Sequence, residues 1–176
     1  MNLKLKRTPG IYIVGFMGSG KTTIGRMFAD EIGWRFADLD EDIEHSERRS
    51  INEIFANSGE QEFRRIEFEA LQKRVRAVCR GVPTVLALGG GAFTRPETIK
   101  LLHENGITVW IDTTLDVVRK RVQGSEHRPL ARDMEKFERL YRERREFYAQ
   151  AEFTVTVPVN DSRAALADLL KLNLLD

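Results

Sequence analysis

The stretch Gly15-Phe16-Met17-Gly18-Ser19-Gly20-Lys21-Thr22 fits G-x-x-x-x-G-K-[ST], the spacing of a phosphate-binding loop. Glycine has no Cβ, so the backbone can curl until its N–H groups point inward at an anion. A helix starting at the end of the loop adds the partial positive charge of its N-terminus. Lys21 is then placed to reach the β- and γ-phosphates of a nucleotide, and the Thr22 hydroxyl to sit on Mg²⁺. An ordinary glycine turn would need neither the lysine nor the hydroxyl.

Other residues could complete a reaction around that loop. Asp38 and Asp40 are two apart at the end of an apolar run, a spacing that lets both point to one face of a strand. One carboxylate could join a Mg²⁺ shell beside Thr22, and the other could accept a proton from a hydroxyl; Mg²⁺ takes only one or two carboxylates. Alone, the pair would more readily read as a cap, Asp40 serving a helix beginning near Glu41; beside a phosphate-binding loop the ligand reading is favoured. In Glu62-Phe63-Arg64-Arg65-Ile66-Glu67, Arg64 could clamp a carboxylate with its planar fork. It could also pair with Glu67 on a solvated helix face. Gly89-Gly90-Gly91 removes three side chains in a row, which suits a wall that a ligand approaches closely. Arg128, in the polar stretch 123–133 with Gly124 and Pro129, could close over a transferring phosphoryl group as part of a mobile loop. It could also be a solvated loop cation. Arg144 and Tyr148 sit in a segment that reads as a charged helix face. His45, His103 and His127 have no ligand spacing and read as surface groups.

These residues need a scaffold of alternating strands and helices. The run Ile11-Tyr12-Ile13-Val14 reads as a buried strand, and Ile24, Met27, Phe28 and Ile32 fall at helical spacing after the loop. Gly33 stops that helix, and Trp34-Arg35-Phe36-Ala37 forms the next strand, leading into the two aspartates. A charged segment follows with Ile43, Ile51, Ile54 and Phe55 facing inward until Gly59 breaks it. Residues 60–78 form a long helix with Phe63, Ile66, Leu71 and Val75 inside. A strand over 84–88 meets the glycine triplet. Thr94-Arg95-Pro96-Glu97 starts another helix, since proline suits the first turn, and Asn105-Gly106 ends it. A strand over 107–111 follows. Thr113, Thr114 and Asp116 cap a helix reaching Val122. Residues 134–151 carry a stripe of Phe137, Leu140, Tyr141, Phe147 and Tyr148. The last strand spans 153–157, and Ser162 caps a final helix with Leu166, Leu169 and Leu170. Strand–helix alternation implies an α/β fold with a parallel sheet. In such sheets ligands bind beyond the carboxyl ends of the strands, where Asp38, Asp40 and the glycines fall.

The whole chain of 176 residues has the length of one domain. Its 28 Lys and Arg offset 27 Asp and Glu to a formal charge of +1, which gives no reason to expect nucleic acid as a partner. The one cysteine, Cys79, excludes an internal disulfide and a cysteine metal cluster and reads as a reduced structural thiol. No apolar stretch has the length of a membrane span, and residues 1–10 lack the apolar core of a signal peptide. The expectation is a soluble cytoplasmic protein, monomeric, with no membrane partner.

Taken together, the motifs resemble the shikimate kinase family over nearly the whole chain. The P-loop reads G-x-M-G-x-G-K-T, the aspartate pair is Asp38 and Asp40, and residues 59–67 look like the family's substrate-binding helix. Gly89-Gly90-Gly91-Ala92 looks like its glycine triplet and Arg128-Pro129-Leu130 like its lid. Arg144 stands four residues before Tyr148, as in the family; a proline common two before that tyrosine is Glu146 here. The resemblance implies a three-layer α/β/α P-loop kinase fold of the nucleoside-monophosphate-kinase type, a five-stranded parallel sheet in order 2-3-1-4-5. It implies one domain over 1–176, with a mobile lid at about 123–133 and a substrate-binding segment at about 40–78. It implies transfer of the γ-phosphoryl of MgATP to the 3-hydroxyl of shikimate, a step toward chorismate and the aromatic amino acids. By carry-over, Lys21, Asp40 and Arg128 are catalytic. Gly18, Ser19, Gly20, Lys21, Thr22, Thr23, Arg121 and Arg128 bind ATP, with Arg121 against adenine. Asp40, Arg64, Gly89, Gly90, Gly91 and Arg144 hold shikimate. Thr22 and Asp38, the latter through water, serve Mg²⁺. Ser162 or Arg163 could lie on the adenine side after the last strand. Two other readings are a related small-molecule kinase, such as a gluconate kinase, and a ligand-sensing relative that has lost catalysis.

Overall fold

A computed structural model describes residues 10–123, 133–172 and 174. Five strands form one sheet: β1 (Gly10–Val14), β2 (Arg35–Asp38), β3 (Thr84–Ala87), β4 (Ile107–Thr113) and β5 (Phe153–Val157). Every pairing is parallel and the order is β2-β3-β1-β4-β5, as the resemblance implied. Among the described residues, seven helices accompany them: α1 (Lys21–Ile32), α2 (Leu39–Glu47), α3 (Ile51–Cys79), α4 (Pro96–Asn105), α5 (Leu115–Gln123), α6 (Met134–Tyr148) and α7 (Ser162–Leu170).

Side chains alternate across a strand, so a central strand buried on both faces feeds two cores. Ile11 and Ile13 of β1 pack with Ile24 and Phe28 of α1 and Leu169 of α7. Tyr12 and Val14 point the other way, into a core with Ile43, Phe63, Leu71, Leu102, Val118, Val122, Phe137 and Tyr148 from α2 to α6. The result is helices on both sides of the sheet. All strands share one carboxyl-terminal edge. At that edge the chain leaves β1 between β3 and β4, the place where an open α/β sheet opens a crevice.

Local signals set the helix ends. Gly33 closes α1 at φ 70°, with its N–H shared between the Ala29 and Asp30 carbonyls. Ser50 and Glu53 form a reciprocal capping box at the start of α3, and Gly59, at φ 79°, interrupts that helix, as expected. Its second half buries Phe63, Ile66, Leu71 and Val75, again as expected. Pro96 occupies the first turn of α4.

Several expectations change. The helix-cap alternative for Asp40 falls away, because Asp38 caps α2: its carboxylate accepts from the Asp40 N–H at 2.9 Å. Asp161, not Ser162, caps α7, accepting from the Arg163 and Ala164 N–H groups. Thr113 is the last residue of β4 and sends its hydroxyl to the Ser19 carbonyl rather than to a helix start. Phe55 is 36% exposed and lies against Phe63, with ring centroids 4.5 Å apart. Leu170 also stands largely outside the core. A short 3-10 turn, Ala92–Thr94, follows the glycines. Cys79 is exposed, with its thiol 3.3 Å from Asn105 Oδ1. The expected loop over 123–133, with Arg128 and His127, falls outside the described residues from 124 to 132.

Candidate active site

The phosphate-binding loop leaves β1 through three glycines with positive φ, Gly15 at 146°, Gly18 at 74° and Gly20 at 97°. At Gly15 crowding adds to the constraint, because a Cβ there would stand 2.7 Å from the Ile111 carbonyl. The loop ends at the start of α1, so the helix N-terminus faces the loop. Lys21, a residue only 9% exposed, donates from its ammonium to the Phe16 carbonyl at 2.8 Å. Thr22 Oγ1 donates to Asp38 Oδ2 at 2.6 Å. These contacts bring the loop, the first turn of α1 and the end of β2 together as one polar cluster.

Around this cluster lies a cleft of about 900 Å³, with Gly18, Gly20, Lys21, Thr22, Thr23, Asp38 and Asp40 on its walls. Arg64, Gly89, Gly90, Gly91, Arg121 and Arg144 line the same cleft. So do Ile51, Phe55 and Phe63, which supply apolar lining, and Asn52, which adds an amide. Of the site residues expected from the sequence, Ser19 is a buried part of the loop rather than of the cleft wall, and Arg128 lies outside the described residues.

The two aspartates divide the site. Asp38 divides its carboxylate between the Thr22 hydroxyl and the helix cap. Asp40, the second residue of α2, makes no such cap. Burial pushes its carboxyl up to about 6; Asp38 and Glu67 push the same way and Lys21 opposes them. A carboxylate that is still ionised at neutral pH, yet more basic than usual, suits a proton acceptor.

The glycine triplet is explained by its neighbours. A Cβ on Gly89 would stand 2.7 Å from Asp40 Oδ1. One on Gly90 would stand 3.2 Å from the Met17 N–H nitrogen and 3.3 Å from Arg144 Nη1. One on Gly91 would collide with the Arg64 guanidinium. The triplet therefore lets an acid and two arginines converge on one patch of backbone.

Arg64 does form the pair with Glu67, at 2.7 Å, but this is no solvated face: the two side chains are 17% and 4% exposed. Burial raises the Glu67 carboxyl, with Arg64, Arg95 and Arg144 opposing. Glu67 is thus a buried acid of the site that the sequence motifs did not single out; its apparent role was a partner on a helix surface. Arg144 lies over the Phe16 ring, 5.8 Å from its centroid. Tyr148, four residues on, donates its hydroxyl to the Gly90 carbonyl, and burial pushes that hydroxyl up to about 12.

At the other end of the cleft, Arg121 Nη1 donates to the Gly18 carbonyl at 3.0 Å, and its Nε and Nη2 hold Asn160 Oδ1 at 2.9 and 2.7 Å. Asn160 and Ser162 line the cleft after β5, and Arg163 does not. Asn160 carried no signal in the sequence, since an Asn before a helix cap is ordinary turn chemistry.

A parallel sheet in this order, with a phosphate loop at its switch point and an acid and two arginines across one cleft, defines a P-loop kinase that phosphorylates small molecules. The chain belongs to the shikimate kinase family, whose model matches residues 17–172. A shikimate kinase from Geobacter metallireducens is 41% identical over 148 residues, 82% of this chain and 80% of the relative. One from Persephonella marina is 37% identical over 147 residues, 83% and 87% of the two chains. Among solved structures, the shikimate kinase of Acinetobacter baumannii in complex with shikimate superposes with a TM-score of 0.85 at 32% identity, covering 94% of this chain and 92% of that one. A sugar kinase from Janibacter, at 21% identity and a TM-score of 0.64, shares the fold.

Proposed function

We propose that this protein transfers the γ-phosphoryl group of MgATP to the 3-hydroxyl of shikimate, giving shikimate 3-phosphate and ADP. One observation carries the reading: Asp40, Arg64 and Arg144 line the same cleft as Lys21 and Thr22. A base and a pair of cations thereby face a phosphate-binding loop. Shikimate offers the matching groups, a hydroxyl to be phosphorylated and one carboxylate to be held.

Arg64 and Arg144 bind the carboxylate, and a guanidinium fork suits its two oxygens. The backbone of Gly89, Gly90 and Gly91 forms the wall behind the ring. Asp40 accepts the hydroxyl proton as that oxygen bonds to the γ-phosphorus and the bond to the ADP oxygen breaks. Lys21 and the loop N–H groups stabilise charge on the transferring group, which is most of what phosphoryl transfer asks of a protein. Gly18, Ser19, Gly20 and Thr23 complete the phosphate cradle, and Arg121 flanks the adenine of ATP.

The Thr22 hydroxyl in contact with the Asp38 carboxylate is a pair of hard oxygen donors, which fits Mg²⁺ held mainly by phosphates and water. Bound there, the ion would neutralise charge on the β- and γ-phosphates. Arg128 is assigned to the γ-phosphate by the family resemblance. ATP as donor makes the cytoplasm the compartment this reading calls for, and the protein acts as a monomer of one kinase domain. A coupled ADP-release assay tests it: ADP should form rapidly with shikimate, and only at background with gluconate or without acceptor. Equal rates with gluconate, or no stimulation by shikimate, would contradict the reading.

A further inference from the structure

Helix α6 carries two arginines in a row that go to different places. Arg144 enters the cleft beside Gly90. Arg145 is turned about 100° around the helix, as successive residues are, and is not among the cleft's lining residues. Its Nη2 donates to Asp112 Oδ2 at 2.9 Å, while Nη1 serves the other Asp112 oxygen and the Tyr141 hydroxyl, the latter at 3.0 Å. Its guanidinium also lies over the Trp110 ring, 4.8 Å from the centroid. Four contacts on one side chain fix its position and plane, more than charge compensation alone requires.

The strand end that receives Arg145 also holds the phosphate-binding loop. Asp112 and Thr113 are the last residues of β4. The Thr113 carbonyl accepts from the Tyr141 hydroxyl at 2.8 Å, and the Thr113 hydroxyl donates to the Ser19 carbonyl at 2.7 Å. Tyr141, Arg145 and Tyr148 share one face of α6 at spacings of four and three, and Tyr148 reaches the Gly90 carbonyl. The helix that presents Arg144 is thus tied to the same strand end as the loop that would cradle the donor.

We propose that Arg145 is a positioning residue: gripping Asp112, it seats the end of α6 on β4 and so sets Arg144 at a fixed distance from the phosphate-binding loop. This rests on the reading of Arg144 as a ligand of the acceptor carboxylate. A loss of placement of this kind acts on acceptor affinity and on turnover together, since small misplacements cost rate in a reaction that depends on orientation.

The test is steady-state kinetics with shikimate and MgATP on Arg145→Met, Arg145→Lys, Arg144→Ala and the Arg144→Ala/Arg145→Met double variant, with thermal melting of each. Arg145→Met should raise KM for shikimate and lower kcat, each by roughly tenfold, well inside the hundredfold that a misplaced group can cost. KM for ATP should stay within about twofold. Arg145→Lys should behave like Arg145→Met, because the fork and not the charge makes the grip. On top of Arg144→Ala, Arg145→Met should add less than about twofold to KM, the non-additivity of residues acting through one another. A lowered Tm with unchanged kinetic constants, or a full Arg145 effect on top of Arg144→Ala, would overturn the proposal and leave the function standing. An unchanged KM for shikimate in Arg144→Ala would overturn the acceptor assignment, and this proposal with it. If Arg145→Met does not fold, Arg145→Lys and Asp112→Asn carry the same comparison.

Discussion

The guanidinium of Arg64 occupies the space that a Cβ on residue 91 would take, its Cζ 2.7 Å from that point. Gly91 has φ −94° and ψ −13°, a conformation any residue adopts. Gly91→Ala should therefore fold without backbone strain and act only by displacing Arg64 from its place beside Glu67. KM for shikimate should rise by roughly tenfold, the scale of about 1.4 kcal/mol, while KM for ATP stays nearly constant. Initial rates with each substrate varied in turn check this, and an unchanged shikimate KM would mean that Arg64 does not need its place against the triplet.

Asp40→Asn separates stability from function. The Asp40 carboxyl is raised from 3.8 to about 6, chiefly by burial. Below about pH 4 it is protonated in the folded and unfolded chain alike and costs nothing; as pH rises through about 6 the folded protein must hold a buried charge and loses stability. The variant escapes that loss. Its Tm should exceed that of the parent at neutral pH, by a free energy on the order of 1 to 3 kcal/mol, and the gap should close in acid. Its kcat should nevertheless fall steeply. Melting curves across pH and turnover on the same samples give both results.

The same group sets the acid limb of activity. Asp40 must be ionised to take a proton, so kcat/KM for shikimate should fall below a pKa near 6, by roughly tenfold per pH unit for a single essential base. A pH–rate profile from acid to neutral checks it. A limb near the ordinary carboxylate value would mean that Asp40 is not the titrating base.

Much of this arrangement was legible in the residues. Gly15 to Thr22 announced the loop because glycines, lysine and hydroxyl must all stand in fixed order. Phe63, Ile66, Leu71 and Val75 announced the inner face of α3 because burial follows the helical period. What the residues alone left open has a different cause. Asp38 and Asp40 look alike in a sequence, and only the turn from β2 into α2 decides which carboxylate caps and which stays available. Phe55 reads as core by type, yet the break at Gly59 leaves its ring on the cleft rim against Phe63. Glu67, Asn160, Arg145 and Asp112 gain their roles from contacts across 3, 39 and 33 positions, and the two long-range pairs leave no local pattern.

Lys21→Met removes the cation from the loop while keeping an unbranched side chain. The fold should persist, and kcat should drop roughly a hundredfold or more, the scale of losing one preorganised donor. Circular dichroism with single-turnover kinetics tests it; near-normal turnover would remove Lys21 from the chemistry.

Arg128 is read from the sequence and the family resemblance. An arginine stabilising phosphoryl transfer is worth roughly 10³ to 10⁵ in kcat, and sharing the charge with Lys21 and Mg²⁺ should bring Arg128→Ala to the lower end of that range or below. The loss should fall on kcat more than on either KM. An unaltered kcat would make Arg128 an ordinary loop cation.

The account stands most directly on the product. Incubation with MgATP and shikimate, followed by two-dimensional ¹H–³¹P correlation spectroscopy, reads which oxygen carries the new phosphate. The account predicts a phosphate ester at the 3-position, formed in step with ADP. An ester at another hydroxyl, or ADP accompanied only by inorganic phosphate, would contradict it.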